Sequence, residues 1–338
     1  MESSSGYDRP VGVLVVGTGA IAELHLAAVH AHPGATLAGV ADLVPVRAAA
    51  AARAHGGVPW DTDLATALAR PGVDAVIACP PNDAHAEVGL AVAAAGKHLL
   101  IEKPLATTVD DADRLVAAFA DHGLTLTAAH THRHYDYARA VHAAIADGTV
   151  GRPRLIRLSV LGGWIWPDWR AWVLDPARSG GHELHNGVHL LDLVTWWMGD
   201  DPVRVYARGR KQTAAELEIH DYLELVVEFA GGGVAVCEMS RGHRPATLGY
   251  RDVLVVGDGG SYAIPWDGAA ATLFGEAGTA LLPVAESDGF ATQLDAWLTA
   301  IRGGPDPMPA TDAARAVVLA VAARESIATG APVEVMAA

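Results

Sequence analysis

Val11-Gly12-Val13-Leu14-Val15-Val16-Gly17-Thr18-Gly19-Ala20-Ile21-Ala22 is the stretch from which the fold is read. Val11–Val16 is a continuous apolar run, the pattern of a parallel strand buried on both faces. Gly17-x-Gly19-x-x-Ala22 follows at once, and the residues to about Ala31 read as a helix. Between a strand and a helix this spacing is a dinucleotide fingerprint. The first glycine allows the tight turn, the second lets the backbone approach a pyrophosphate, and alanine is an allowed variant of the third. The helix N-terminus then offers free N–H groups and a partial positive charge to the phosphates. Asp42 lies 23 residues after Gly19, at the end of the next expected strand. A carboxylate there accepts hydrogen bonds from an adenosine ribose and repels a 2′-phosphate, so NAD is expected over NADP. Taken alone, Asp42 also suits a helix N-cap, and glycine-rich turns occur in many α/β proteins.

Outward from this point, short apolar runs alternate with Ala-rich helical stretches. Strands are expected at Ala35–Ala41, Val73–Ala78, His98–Ile101 and Leu124–Ala129. Helices are expected at Leu43–Ala54, Leu64–Ala69, Asp83–Ala95 and Asp110–His122. This alternation predicts a doubly wound parallel sheet over residues 1–129. The pattern changes in residues 130–338. A helix near Asp136–Ala146 leads to a strand at Arg154–Leu161, and Gly180–Met198 reads as one long helix. From Asp201 to about Phe274 come short strands with glycine turns, an antiparallel signature. Helices near Phe290–Ile301 and Thr311–Thr329 close the chain and are expected to pack back on the first domain.

The bulk properties narrow the function classes. The chain has 338 residues, 51% hydrophobic and 19% charged, which suits about two folded domains. With 24 basic and 39 acidic residues the net charge is −15, a field that repels nucleic acid and anionic lipid. Cys79 and Cys237 are the only cysteines, so no disulfide framework is expected. The absence of a basic-then-apolar leader pattern and of long apolar runs gives the expectation of a cytoplasmic protein with no membrane span. Only three of the 24 basic residues are lysines: Lys97, Lys103 and Lys211. A lysine kept in so Arg-rich a chain points to a compact ammonium, a property arginine lacks.

Lys103 sits in Glu102-Lys103-Pro104, at the C-terminal end of an expected strand, where open α/β sheets place their ligands. With Gly17–Ala22 and this triplet stand Cys79-Pro80-Pro81-Asn82-Asp83-Ala84-His85, Trp169-Arg170, Asp175-Pro176, Ser179-Gly180-Gly181 and Gly187-Val188-His189-Leu190-Leu191-Asp192. In this order and spacing, over nearly its whole length, the chain resembles the Gfo/Idh/MocA oxidoreductases, the relatives of glucose–fructose oxidoreductase and inositol dehydrogenase. The resemblance implies an α/β protein: an N-terminal Rossmann domain plus a C-terminal α+β domain with a large open, mostly antiparallel sheet. It implies hydride transfer between NAD(P) and a carbinol or ketone of a sugar, cyclitol or related polyol. It also implies a homodimer or homotetramer formed through the C-terminal sheet.

Residue by residue, the resemblance puts Lys103 at the reacting oxygen and makes His189 the acid/base. Gly17, Thr18, Gly19, Ala20, Ile21, Asp42, Cys79, Pro80, Pro81, Asn82, His85, Glu102 and Lys103 then line the cofactor. Arg133, Trp169, Arg170, His185 and His189 line the substrate. The chemistry agrees: a carbinol losing hydride must lose its proton, and an ammonium stabilises the developing alkoxide. One position departs from the family, which has Asp four residues before the histidine; here it is His185. On a plain α-helix, i and i+4 share a face. The missing carboxylate removes a charge that would raise the pKa of His189. The histidine groups 130/132/134 and 182/185/189 have the chemistry of zinc ligands, but the resemblance implies no metal. Four of the nine tryptophans fall within Trp164–Trp172, a composition that suits sugar-ring packing or a subunit interface. Two other functions stay open: a glycosidase using NAD for transient C3 oxidation, and a non-catalytic dinucleotide sensor.

Overall fold

In the computed structural model β1 (Val11–Val16) is buried along its whole length and lies mid-sheet. The structure describes residues 9–335 apart from 164–170, 213–214, 216, 246, 266–269, 276–277, 283–286 and 307. After β1 come α1 (Ala20–Ala31), β2 (Ala35–Ala41), α2 (Pro45–Ala54), β3 (Trp60–Asp61), α3 (Leu64–Leu68) and β4 (Ala75–Ala78). Then come α4 (His85–Ala94), β5 (His98–Glu102), α5 (Val109–Asp121) and β6 (Leu126–Ala129). The six strands are all parallel, in the order β3-β2-β1-β4-β5-β6. Apolar residues run unbroken through β1 and β4 because helices cover both faces of such a sheet. Two helix starts carry side-chain caps readable in the sequence: Asp63 accepts from Thr66 N–H, and Thr108 from Asp111 N–H.

The second half holds α6 (Asp136–Ala146), β7 (Pro153–Gly163), α7 (Pro176–Ser179) and α8 (Val188–Met198). It continues through β8 (Pro202–Arg210), β9 (Tyr222–Phe229), β10 (Val234–His243), β11 (Gly249–Gly257), β12 (Gly260–Ile264), β13 (Ala271–Gly275) and β14 (Gly278–Leu282). Helices α9 (Gly289–Ile301) and α10 (Ala310–Thr329) and strand β15 (Val333–Glu334) end it. These nine strands form one sheet, β14-β13-β12-β11-β7-β10-β9-β8-β15. Every pairing is antiparallel except β7 with β10. Alternation along β9 and β10 buries Leu223, Leu225, Val227, Ala235, Cys237 and Met239 on one face. The other face leaves Glu224, Val226, Val236 and Glu238 half-exposed, in register as neighbours.

The helix expected from Gly180 to Met198 starts later, at His182, and its first part is a π turn rather than plain α-helix. Gly180 (φ +80°) and Gly181 (φ +87°) are both left-handed and end α7. Side chains there would also collide, Gly180 with Leu184 Cδ1 at 2.6 Å and Gly181 with Glu183 Oε2 at 2.5 Å. A wide π turn, Glu183–Gly187, then leads into α8. The group 130/132/134 is likewise not on a strand: Thr131–His134 is a 3-10 turn.

The chain forms two compact units, Met1–His134 with Asp288–Ala314, and Tyr135–Ser287 with Arg315–Ala338. A linear division after Ala129 therefore does not describe the first unit, which takes in a distant segment. The reason is apolar. Leu294, Trp297, Leu298 and Ile301 of α9 are buried in the same core as Val11, Val13, Val15, Leu26 and Val29. Polar links add register: Thr131 Oγ1 donates to Gln293 Oε1 at 3.0 Å, and Arg302 to the Gly34 carbonyl at 3.0 Å. Among the described residues, no helix is long and apolar enough to cross a membrane.

Candidate active site

The turn after β1 has the form a pyrophosphate needs. Gly17 takes φ +82°, and a Cβ there would lie 2.6 Å from the Cys79 carbonyl oxygen, so only glycine fits. A Cβ on Gly19 would meet nothing within 4 Å. Gly19 is also the N-cap of α1 and has no side chain with which to cap that helix end. An open approach to an uncapped helix N-terminus is the local chemistry of a phosphate cradle.

Asp42, at the end of β2, is 6% exposed and serves as an anion hub. Its Oδ2 accepts from Thr18 N and Oγ1, both at 2.9 Å. Its Oδ1 accepts from Val44 N at 2.8 Å and from Arg47 Nη2 at 2.9 Å. Burial opposes the charge, but Arg47 and the Val44 and Thr18 donors hold the carboxyl below the usual carboxylate range.

A second group lies at the C-terminal ends of β4 and β5. Glu102 is 8% exposed; its Oε1 lies 2.8 Å from His25 Nε2 of α1, and its Oε2 accepts from Lys103 N at 3.2 Å. Burial works against this carboxylate, yet His25 and the Lys103 charge hold it below its ordinary value. His85, the first residue of α4, is fully buried. Its Nδ1 lies 2.6 Å from the Pro104 carbonyl oxygen and its Nε2 3.2 Å from that of Pro80. Burial pushes the His85 pKa down, while the Pro104 and Pro80 carbonyls work against that shift. Asn82 is buried beside it in the 3-10 turn Asn82–Ala84. Burial and the Glu102 charge push the Cys79 thiol up, which removes it as a nucleophile.

In the second unit, His185 lies in the π turn with its ring edge-on to Trp172, centroids 5.5 Å apart. His189 falls one residue into α8, so the plain i, i+4 helical relation expected for the pair is replaced by a wider turn. His182 is buried, and desolvation pushes its pKa down to about 4. Its Nδ1 accepts from Asn186 Nδ2 at 2.9 Å. Glu183 is 3% exposed and pairs with His220 Nδ1 at 2.8 Å.

Arg133, expected at the substrate, is 4% exposed in the first unit and paired with Asp312 at 3.0 Å. Trp169 and Arg170 lie outside the described residues. Among the described residues, no group of three His, Cys, Asp or Glu side chains is arranged to hold a metal ion. Sequence reasoning missed His25, Arg47, Glu183 and His220. His25 left one trace, a lone polar residue in the buried stripe Ala22, Leu26, Val29 of α1.

Residues 11–130 match the model of an oxidoreductase family with an NAD-binding Rossmann fold, and residues 138–263 match the GFO/IDH/MocA C-terminal domain. The two matches together span most of the chain. The chain belongs to the Gfo/Idh/MocA oxidoreductases. Inositol 2-dehydrogenase of Rhizobium meliloti is 28% identical over 93% of this chain and 96% of its own. The 1,5-anhydro-D-fructose reductase of Ensifer adhaerens is 29% identical over 86% of this chain and 88% of its own. Among solved structures, GenD2 from gentamicin A biosynthesis, in complex with NAD, has a TM-score of 0.86. It is 25% identical over 100% of this chain and 99% of that one. As a member of the family, the chain is an enzyme, a nicotinamide-dependent oxidoreductase with an NAD-binding first domain.

Proposed function

We propose that this enzyme moves a hydride between NAD and a secondary carbinol or ketone of a sugar, cyclitol or related polyol. The carrying observation lies within the first unit. The Gly17–Gly19 cradle and Asp42 mark out a dinucleotide, and the same sheet presents Lys103 at the end of β5. The cofactor, when bound, supplies the hydride acceptor. Lys103 holds a positive charge for the developing alkoxide, and His189 takes the hydroxyl proton during oxidation. The inositol and anhydrofructose enzymes among its relatives favour cyclic polyols and their ketones as substrates. A screen of polyols with NAD⁺, and of keto-sugars with NADH, tests this by the absorbance of reduced nicotinamide. Stoichiometric change is expected. Turnover of glycosides without net NADH would establish the transient-oxidation glycosidase in its place.

NAD is proposed as the preferred cofactor, because the ionised Asp42 meets the ribose edge and repels a 2′-phosphate. Arg47, with its side chain 56% exposed, pulls the other way, since a guanidinium binds phosphate well. By fluorescence titration NADH is expected to bind about tenfold or more tighter than NADPH, a difference of about 1.4 kcal/mol. Asp42→Ala narrows the gap and Arg47→Ala widens it. A wild-type preference for NADPH would remove Asp42 from this role.

A further inference from the structure

The Glu102-Lys103-Pro104 turn is gripped from both sides by buried imidazoles. On one side, His25 of the phosphate-binding helix α1 holds Glu102 Oε1, while Oε2 of that carboxylate takes the Lys103 backbone N–H. On the other side, the His85 ring spans the carbonyls of Pro104 and Pro80 and so joins the turns after β5 and β4. His25 is 2% exposed, with Phe290 set edge-on to its ring at 5.0 Å. The groups facing this turn that carry or can carry charge are His25, Cys79, His85 and Glu102.

Core filling does not account for this arrangement. The α1 face is otherwise Ala22, Leu26, Ala28 and Val29, where a leucine at position 25 would bury apolar surface without a charge to desolvate. Buried ion pairs are poor stabilisers compared with well-packed apolar residues. They do impose register, because a buried carboxylate must keep its donors. Here one donor belongs to the nucleotide helix and the other to the lysine itself.

We propose that His25 and His85 are positioning residues: His25 through Glu102, and His85 through its short contact with the Pro104 carbonyl, hold the Lys103 backbone in the place from which its ammonium serves the reacting oxygen. This inference rests on the role proposed above for Lys103. It also ties the helix that begins at the cradle to the lysine turn, since α1 reaches the turn through His25.

The chain's three lysines supply a test that needs no substrate. Selective ¹⁵N-lysine labelling gives amide peaks from Lys97, Lys103 and Lys211, with Lys103 assigned by Lys103→Arg. In His25→Leu and Glu102→Gln the Lys103 peak is expected to move while the Lys211 peak stays. In turnover, His25→Leu and His85→Leu are expected to lower kcat by about tenfold or more, with the NADH Kd of His25→Leu within about twofold. His25→Gln keeps a donor near Nε2 and His85→Asn keeps one near Nδ1, so both should recover most of kcat. These variants also serve where the leucine forms do not fold. An unmoved Lys103 peak overturns the coupling through Glu102. Wild-type kcat in folded leucine variants, or no recovery in the conservative ones, overturns the positioning role. If Lys103→Ala itself keeps turnover, the role of Lys103 falls, and the amide shift still reports separately on the linkage.

Discussion

Lys103→Ala should lower kcat about a thousandfold, with the NADH Kd staying within about twofold of wild type. Removing one preorganised partner of a developing oxyanion produces a loss of this size. A loss in kcat without a loss in cofactor affinity marks an interaction made only in the transition state. Binding should survive because the proposed pyrophosphate and ribose contacts, Gly17–Gly19 and Asp42, follow other strands of the sheet, β1 and β2. Folding should survive because alanine retains the backbone N–H that Glu102 Oε2 accepts from, and His25 still holds the carboxylate when the lysine charge is gone. Lys103→Arg is expected to rescue poorly, since a broad planar fork cannot sit where a compact ammonium does. Steady-state kinetics on the substrate found in the screen, with parallel NADH titration, decides the matter. Turnover within a few-fold of wild type would show that Lys103 is not at the reacting centre.

His185→Asp should move the acidic limb of the kcat/KM profile for alcohol oxidation to higher pH, by up to about one unit. The sign comes from charge. If His189 is the base, the rate rises as it loses its proton, and an added carboxylate nearby favours the protonated form. At present the same position holds an imidazole packed edge-on to Trp172, which supplies no fixed negative charge. His182 does not confuse the measurement, because burial has pushed its pKa down to about 4, below the range of the limb. His189→Ala should abolish the limb and cost about a hundredfold or more in activity. A limb that stays in place or moves to lower pH in His185→Asp would contradict either the closeness of the two residues or the choice of base. The π turn makes this a demanding test, since it replaces the plain helical geometry that the sequence spacing implies.

The parallel sheet was legible in the sequence because its signal is local. Strands β1 and β4 must be apolar along their whole length when both faces are covered, and that shows as unbroken runs. Gly17 was legible for the same kind of reason: its backbone needs a positive φ and room for Cys79, and one residue type meets both demands. Asp42 could be picked out by its distance along the chain after that turn. Other features were settled by partners far away in sequence. Arg133 reads as a substrate-lining residue until Asp312, 179 residues on, is placed against it. His85 reads as a first-turn residue until the Pro104 carbonyl, 19 residues on, is found on its ring. The helix expected from Gly180 starts only at His182, because two left-handed glycines in a row cannot enter a right-handed helix, and the packing of Leu184 and Glu183 selects that backbone. Local sequence determined which segments are strands, which turn has the form of a phosphate cradle and where the lysine falls. Tertiary structure alone decided which buried polar groups satisfy one another, because a buried donor or acceptor must find its partner wherever the folded chain brings one within reach.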